Sequence, residues 1–515
     1  MQRPNILFAF ADDWGRYASC YREGDDDSTA NAIISTPNLD RLAREGVRFT
    51  NALVPAPSCT PCRSSVLSGR YFWQTGLGSI LTGAEWDTTI PSYPLLLEQA
   101  GYHIGFTYKA WGPGTPADEP YGGQRTRYVP AGNQFSHFSF AAAEKASELG
   151  VEGAKQVLYD EVRDNFQAFL ENRPKGTPFC YWWGPTNTHR KWQRGSGKAL
   201  WGLEPDDLKG RLPAFLPDVH EIREDVADYI GECQAFDAGL GVLLACLDEM
   251  GELDNTLVVV SGDHGIPGFP RGKCNLYDHG NEVALVARWA GRIPGGRTVD
   301  DMVNIMDLAP TFLEAAGVSR PDCMCARSLL PLLESAEEGQ VDPDRTFVVT
   351  GRERHVAAAR EGNRPYPQRA IRTHRYLYIR NYAEDRWPAG DPAGLDDKTV
   401  EPPPYEQLEN NTFTAYADLD ASPTKAWMVY HRAEEGIQEL YDIGFGKRPA
   451  EELYDVENDP DHMTNLVGNT EYGSVLNELR EKLHAELWCA GDPRVTQKDC
   501  CFERLPFTTA QPPRK

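Results

Sequence analysis

A short segment near residue 60 brings together residue types that can do chemistry. Cys59-Thr60-Pro61-Cys62-Arg63 supplies two thiols and a fixed cation, and residues 64–70 continue as Ser-Ser-Val-Leu-Ser-Gly-Arg. The five-residue pattern Cys-x-Pro-x-Arg arises by chance in roughly a few per cent of chains of this length and composition. It is therefore a hypothesis that needs support from the rest of the chain.

Two other uses of these thiols are open at this point. Cys59 and Cys62 could form half of a zinc site, but the nearest second pair, Cys323 and Cys325, has only one intervening residue. They could also be a redox dithiol, which is typical of a small thioredoxin-like unit that nothing nearby indicates. An incidental loop is the third alternative.

Acidic pairs follow two candidate strands. Asp12-Asp13 comes directly after residues 5–10, and Asp263-His264 follows residues 256–261. In an open α/β sheet, ligands bind at the edge where the carboxyl ends of the strands meet. Three carboxylates and an imidazole at that edge predict a divalent-cation site. The alternative is that each pair only caps a local turn.

Basic side chains are placed in the same way. Lys109 ends the candidate strand 103–108, His189-Arg190 follows the candidate strand 179–183, and Lys273 lies in the loop after the second acidic pair. A single lysine is most often a solvated surface charge. Together, however, these groups predict an anion-binding site next to the cation and the thiol.

The elements that must position these residues alternate short apolar runs with helical patterns, which indicates an α/β fold with a mainly parallel sheet sandwiched by helices. A fifth candidate strand covers residues 283–287. Thr36 is expected to cap a helix that has Pro37 at its first position, and residues 221–250 are predicted to form one long helix.

The composition changes after about residue 345, so we expect a catalytic domain over residues 1–345 and a smaller α+β domain over residues 346–515 that contributes to the substrate pocket. Its predicted elements are one half-exposed antiparallel strand over residues 369–380, a short strand over 452–455, a helix over 475–487, and a long loop from 390 to 424.

Composition excludes some partners. The chain has 52 basic and 76 acidic side chains, a net charge of −24, which argues against nucleic acid and against an anionic membrane. No run of 18 apolar residues and no signal-peptide pattern occurs, so the sequence as given predicts a cytoplasmic protein, or a periplasmic or secreted one if a leader has been removed. In an oxidising compartment, Cys489 could bridge to Cys500 or Cys501. The oligomeric state is left open.

The order of these motifs resembles the type I, formylglycine-dependent sulfatases of the alkaline phosphatase superfamily. The resemblance includes residues 4–13, 36–43, 59–70, 105–109, 257–265 and 452–460. Within that family, residues 185–190, 265–267 and 272–277 are most similar to N-sulfoglucosamine sulfohydrolase and its microbial relatives.

The resemblance implies a role for each matching position. A formylglycine-generating or anaerobic sulfatase-maturing enzyme would convert Cys59 to formylglycine, whose hydrate attacks sulfur while Arg63 polarises it. A divalent cation, Ca²⁺ first and Mn²⁺ or Mg²⁺ as alternatives, would be bound at the cation site. The remaining basic groups would bind the sulfate, with His189 or Lys273 protonating the leaving atom. The implied cation ligands are Asp12, Asp13, Cys59, Asp263 and His264; the implied substrate-binding residues are Lys109, His189, Arg190, Lys273 and His355.

Three positions depart from the family pattern. Cys62 stands where Ser or Ala is usual, which should still allow modification. Lys109 is followed by Ala110-Trp111-Gly112 rather than Trp-His-Leu-Gly, so the usual histidine that assists hydrate collapse is missing. His264 stands where the family often has Asn, so a transition-metal ion is an alternative to Ca²⁺.

Three functions therefore compete. The first is a sulfatase acting on an O- or N-sulfated saccharide. The second is a phosphonate or phosphate monoester hydrolase of the same superfamily, against which the adjacent Asp12-Asp13 pair argues. The third is a catalytically silent binder of sulfated glycans in which Cys59 stays a thiol.

Overall fold

A seven-stranded sheet forms the centre of the protein. The computed structural model describes residues 3–22 and 28–509. The strands of this sheet run in the order β4-β5-β1-β6-β7-β2-β8. Their bounds are β1 Asn5–Ala11, β2 Val47–Phe49, β4 His103–Tyr108, β5 Phe179–Gly184, β6 Thr256–Gly262, β7 Leu285–Arg288 and β8 Arg297–Val299.

The direction of the strands sets where the polar ends meet. Strands β4, β5, β1 and β6 are parallel neighbours, whereas β7 runs antiparallel to both β6 and β2. The mainly parallel sheet is therefore confirmed, with β7 as the exception. The carboxyl ends of β1, β4, β5 and β6 lie at one edge, where parallel strands place their ligands.

Both faces of the sheet are covered. On β1, Leu7 and Ala9 belong to one buried apolar cluster, while Ile6, Phe8 and Phe10 belong to the other. This alternation follows from the two-residue period of a strand, and the continuous apolar run follows from burial on both sides.

The helices lie mainly around this sheet, as predicted. The longest described ones are Phe138–Glu171, which is kinked at Gly150, and His220–Glu249. The second of these is long and apolar enough to cross a membrane, but 78% of its apolar window is buried inside the protein, as in a core helix. The other described helices are Pro37–Glu45, Cys59–Ser68, Tyr93–Gln99, Ser196–Trp201, Asp278–Asn281, Leu308–Ala315, Leu330–Glu334, Tyr405–Asn410, Pro423–Tyr430, Gln438–Phe445, Gly473–Cys489 and Pro493–Thr496.

A second, antiparallel sheet occupies the C-terminal part of the chain. It has the order β10-β11-β12-β13, with β10 Phe347–Arg352, β11 Gln368–Thr373, β12 Tyr376–Asn381 and β13 Glu451–Asp455. The helix Gly473–Cys489 packs against β11 and β12. A short parallel pair, β3 Ala52–Leu53 and β9 Val303–Asn304, completes the described strands. The C-terminal sheet and helix agree with the predicted α+β region, while the domain boundary at residue 345 stays a prediction.

Several local predictions were wrong. The predicted single strand over 369–380 is a hairpin of two mostly buried strands, β11 and β12. Thr36 makes no side-chain cap, because its hydroxyl bonds to Ser19 instead. The predicted loop over 390–424 contains the helix Tyr405–Asn410 and the start of Pro423–Tyr430. All twelve cysteines are free thiols, so the bridge from Cys489 is not formed.

Candidate active site

The ends of β1 and β6 bring the two acidic pairs together. Asp13 adopts a left-handed backbone conformation with φ 56°, which turns the chain out of the strand. Its amide N–H donates to Asp263 Oδ1 at 2.7 Å, so one carboxylate fixes the backbone that carries the other. Asp12, Asp13, Asp263 and His264 are all buried. The predicted convergence of these four residues is confirmed.

The helix Cys59–Ser68 begins at the predicted thiol. Pro61 fits the first turn because the N–H it lacks would have no partner within the helix, and Gly69 ends the helix in the left-handed region at φ 62°. Cys59 Sγ lies 3.4 Å from His264 Nε2 and 3.6 Å from Asp13 Oδ1. The thiol therefore faces the acidic pairs, at the helix end whose dipole favours negative charge.

Arg63 lies one helical turn after Cys59 and projects into the same cluster. Its Nε donates to Asp263 Oδ2 at 2.8 Å and its Nη2 to Asp12 Oδ1 at 3.0 Å. The remaining Nη1 donates to the carbonyl oxygens of Lys109 and Ala110. Arg63 is fully buried, so this one side chain joins the helix to both strand ends.

Lys109 reaches the cluster from the end of β4. Its Nζ donates to the two Asp12 carboxylate oxygens at 2.7 and 2.9 Å. The turn behind it is held by Asp118, whose Oδ1 accepts hydrogen bonds from the N–H groups of Ala110 and Trp111. Asp118 is a supporting residue that no sequence motif indicated.

Lys273 and His189 occupy the other side of the cluster. Lys273 Nζ donates to Asp13 Oδ2 at 2.8 Å and lies 3.2 Å from His189 Nε2. The same imidazole nitrogen is 3.7 Å from Asp13 Oδ2, and about a third of the His189 side chain is exposed. Lys273, in contrast, is 3% exposed. His189 is therefore the more accessible of the two groups.

Burial and charge act in opposite directions on the acids. Burial opposes ionisation of Asp12, but Lys109 and Arg63 outweigh it and hold the pKa of that carboxyl well below its usual range. Asp263 is different, because burial raises its pKa despite the nearby His264 and Arg63. Burial, reinforced by the charge of Asp12, also raises the pKa of the Cys59 thiol well above its usual value. An unmodified Cys59 is thus kept protonated and is a poor nucleophile here.

The donor atoms fit a bound cation. Asp13, Cys59, Asp263 and His264 each offer one ligand atom within 4.8 Å of the others. His264 Nδ1 lies 3.1 Å from the Gly265 carbonyl oxygen, so a neutral ring that donates from Nδ1 would leave Nε2 free to bind a cation. That Nε2 faces Asp13 Oδ1 at 3.1 Å and Asp263 Oδ1 at 3.5 Å. Three acceptors facing one another are stabilised by a cation between them.

Asp12 has a different place from the other predicted cation ligands. Its carboxylate groups with Asp13 and His189 rather than with the four donors around Cys59. Lys109 and Arg63 already donate to its oxygens. Asp12 therefore also orients the cationic side chains of the site.

Two predicted substrate contacts lie farther out. Arg190 is paired with Asp225 through two bonds of 2.7 and 2.8 Å and its Nε donates to the Pro267 carbonyl oxygen, so its guanidinium braces the loop beside His189. His355 comes from the C-terminal region, and its Nδ1 is 2.8 Å from the hydroxyl of Ser58, the residue before Cys59. Burial, and then the charge of Lys273, lowers the pKa of His355 to about 3, so its imidazole is neutral.

Sequence reasoning missed Asp420. Its Oδ2 lies 3.4 Å from Lys273 Nζ, which also donates to Asp13. The residue lies in the segment predicted to be a long loop, and no strand end or motif marks it. The short run Asp418-Leu419-Asp420 is the only local signal we find for it in the sequence.

The chain also matches a known protein family. The sulfatase family profile matches residues 4–318, which is more than half of the chain. The chain belongs to the sulfatase family. This sulfatase is therefore a sulfuric ester hydrolase, and a second profile, N-sulphoglucosamine sulphohydrolase, C-terminal, matches its residues 263–402. The resemblance stated from the motifs is confirmed.

Relatives of this sulfatase cover most of its length. It is 26% identical over 540 residues to the human N-sulphoglucosamine sulphohydrolase, covering 99% of this chain and 95% of that one. It is also 26% identical over 512 residues to an ulvan-active sulfatase of Formosa agariphila, covering 95% and 76%. A solved protein in complex with its substrate D-glucosamine-2-N,6-O-disulfate has the same fold, with a TM-score of 0.63, 21% identity and coverage of 96% and 100%.

Proposed function

We propose that this sulfatase removes sulfate, as an ester or a sulfamate, from a sulfated saccharide, using a divalent cation and a formylglycine made from Cys59. The observation that supports it best is the position of Cys59 Sγ, 3.4 Å from His264 Nε2 and 3.6 Å from Asp13 Oδ1. A modified side chain there would lie between the acidic pairs and the helix start. Formation of the formylglycine requires a formylglycine-generating or anaerobic sulfatase-maturing enzyme as a partner.

Formylglycine supplies a hydrated aldehyde, one hydroxyl of which attacks sulfur while the other later expels the sulfate. The residues around Cys59 prepare for this chemistry. Arg63 reaches the cluster from the same helix face, bonded to Asp12 and Asp263, so its charge is fixed before substrate arrives. A fixed charge needs no rearrangement during the reaction, which lowers the barrier.

The cation would be held by Asp13, Asp263 and His264, with position 59 as a fourth donor and Asp12 close by. When bound, it supplies Lewis acidity at the sulfate and at position 59. Carboxylate oxygens suit Ca²⁺ and Mg²⁺, and the imidazole keeps Mn²⁺ open. Ca²⁺ is our first choice because oxygen donors predominate.

The sulfate oxygens would be neutralised by Lys109 and Lys273. Opposing carboxylates outweigh burial and raise the pKa of both lysines, so both are charged at neutral pH. His189 Nε2 lies 3.2 Å from Lys273 Nζ and is partly exposed. Either group can deliver a proton to the leaving oxygen or nitrogen, and we favour His189 because substrate can reach it.

Substrate contacts would also come from the C-terminal part of the chain. His355 and Asp420 both approach the cluster from beyond residue 345. This supports a catalytic domain over residues 1–345 and a smaller domain over 346–515 that completes the pocket. The human relative at 26% identity is a sulphohydrolase of N-sulphoglucosamine, which supports an amino sugar as the first substrate to test.

The decisive test is a substrate panel. The protein is expressed with a sulfatase-maturing enzyme and assayed on N- and O-sulfated monosaccharides and disaccharides, beside phosphate and phosphonate monoesters. We expect sulfate release from at least one saccharide, with kcat/KM well above that for any phosphorus ester. Faster turnover of a phosphonate would instead favour the monoester hydrolase.

Mass analysis of the peptide that contains Cys59 is the companion measurement. Conversion of the thiol to formylglycine should accompany sulfate release, and the modified fraction should scale with activity across preparations. A protein from its natural host that carries only an unmodified Cys59 would indicate a silent glycan binder.

A second prediction concerns the cation. We expect Ca²⁺ to raise the Tm of the EDTA-treated protein, because a ligand at 100 times its Kd stabilises the folded state by about 2.7 kcal/mol. Asp13→Asn removes one charged ligand and should weaken Ca²⁺ binding by about 10- to 100-fold. Thermal unfolding measures the change in Tm, and calorimetric titration measures the affinity for Ca²⁺. Asp385→Asn, which removes the same charge from an exposed position, serves as the control. Equal Ca²⁺ affinity in the two variants would refute the assignment.

A further inference from the structure

Asp420 is an acidic side chain beside a basic group that would bind the sulfate. Its Oδ2 lies 3.4 Å from Lys273 Nζ, and 19% of its side chain is exposed. Lys273 itself bonds to Asp13 and lies beside His189. Asp420 therefore contacts Lys273, a lysine that would bind the sulfate. A carboxylate at this position weakens the attraction for any anion, so its presence needs an explanation.

The carboxylate is also short of hydrogen-bond partners. Oδ2 of Asp420 is enclosed, and apart from the Lys273 ammonium 3.4 Å away it has no hydrogen-bond partner among the described residues. Asp418, two residues earlier, is in contrast paired with Arg352 and with Arg360. One long ion pair leaves much of the hydrogen-bonding capacity of a carboxylate unused, and the exposed part of this group can take a donor from a ligand. Although burial opposes ionisation, Lys273 and His189 hold the pKa of Asp420 below its usual range, so the acceptor is charged.

The segment that carries Asp420 is held in place. Lys425 Nζ donates to the carbonyl oxygens of Tyr416 and Leu419, and Ser422 Oγ donates to the carbonyl oxygen of Gly268. Gly268 belongs to the same loop as Lys273. The carboxylate is thus oriented before substrate binds, which is what a selective contact requires.

We propose that Asp420 is a specificity-determining residue that accepts a hydrogen bond from a hydroxyl or amine on the sugar carbon next to the sulfated position and repels a second sulfate there. This inference rests on the proposed saccharide sulfatase. A site with a charged acceptor binds a donor-bearing sugar well and rejects an analogue that brings a negative group instead. The preferred substrates therefore carry one sulfate, on the carbon that is desulfated, and none on the neighbouring carbon.

The test compares pairs of saccharides that differ only at the neighbouring carbon, such as glucosamine 2-N-sulfate and glucosamine 2-N,3-O-disulfate. For each pair, kcat/KM is measured for the mature wild type, for Asp420→Asn and for the exposed charge control Asp385→Asn. We expect the wild type and the control to prefer the singly sulfated sugar. Asp420→Asn should reduce that preference at least about 10-fold.

Binding to the inactive Cys59→Ala protein, with and without Asp420→Asn, gives the same comparison by calorimetry. It does not depend on turnover, and a Tm measurement verifies folding. An equal loss for both sugars, which leaves the ratio unchanged, would overturn the inference and indicate that Asp420 only positions Lys273. A wild type that releases sulfate from no saccharide would refute the proposed function itself, and this inference with it.

Discussion

Replacing Cys59 by Ala is expected to abolish sulfate release while leaving the fold intact. Position 59 is the start of the helix Cys59–Ser68 and faces the two acidic pairs. Ala is a good helix former and fits the space of Cys, so the helix should persist. Without a precursor of the nucleophile, kcat should fall by at least about 10³-fold, as it does when nucleophiles are removed from other hydrolases. Initial rates of sulfate release test the loss of activity, and a Tm measurement tests whether the fold is intact.

Cys62→Ala is the matched control for this experiment. Cys62 is fully buried in the apolar cluster beneath the sheet, and the structure gives it no hydrogen bond to the acidic pairs. We expect this variant to keep most of its activity. Residual turnover in Cys59→Ala near the wild-type rate would contradict the nucleophile assignment, and loss in both variants would point to a general packing effect.

Replacing Arg369 by Leu is expected to destabilise the protein strongly. Arg369 is fully buried on β11, where it donates to Glu353 at 2.9 Å and to both carboxylate oxygens of Asp492. Its guanidinium also lies about 5 Å from the ring centres of Phe72 and Trp73, before residue 345. Removing it leaves buried carboxylates without this partner, which costs about 3–5 kcal/mol. Denaturant and thermal unfolding measure the loss.

The control is Arg375→Leu, in the same hairpin. Arg375 pairs with Asp455 at 2.8 Å, but about half of its side chain is exposed. Solvent and salt screen such a pair, so the Tm should hardly change. Equal destabilisation by both substitutions would refute the claim that burial makes the Arg369 network strong.

Most of the candidate site could be predicted because each residue lies next to an element with a strong local pattern. Asp12 and Asp263 directly follow apolar runs that are buried on both sides. Lys109 follows β4 in the same way. Once the strands are parallel, their ends must lie together. For these residues the local sequence pattern is sufficient to predict their position.

Other features depend on packing that no local pattern reveals. The hairpin between β11 and β12 turns at His374-Arg375, which lack the Gly or Asn that usually marks such a turn. Thr36 has the residue type of a cap, yet Ser19 takes its hydroxyl. Asp420 meets Lys273 across 147 positions of sequence, because Ser422 binds the loop at Gly268.

The burial of Cys59 has a consequence for the order of events in the life of the protein. Only 2% of the residue is exposed, and its helix is buried along its whole length. The maturing enzyme that we propose as a partner would have to reach this side chain, which the packed helix does not offer. On that proposal, modification would come before the helix packs against the sheet, and the rate of folding would set the time during which each new chain can be converted.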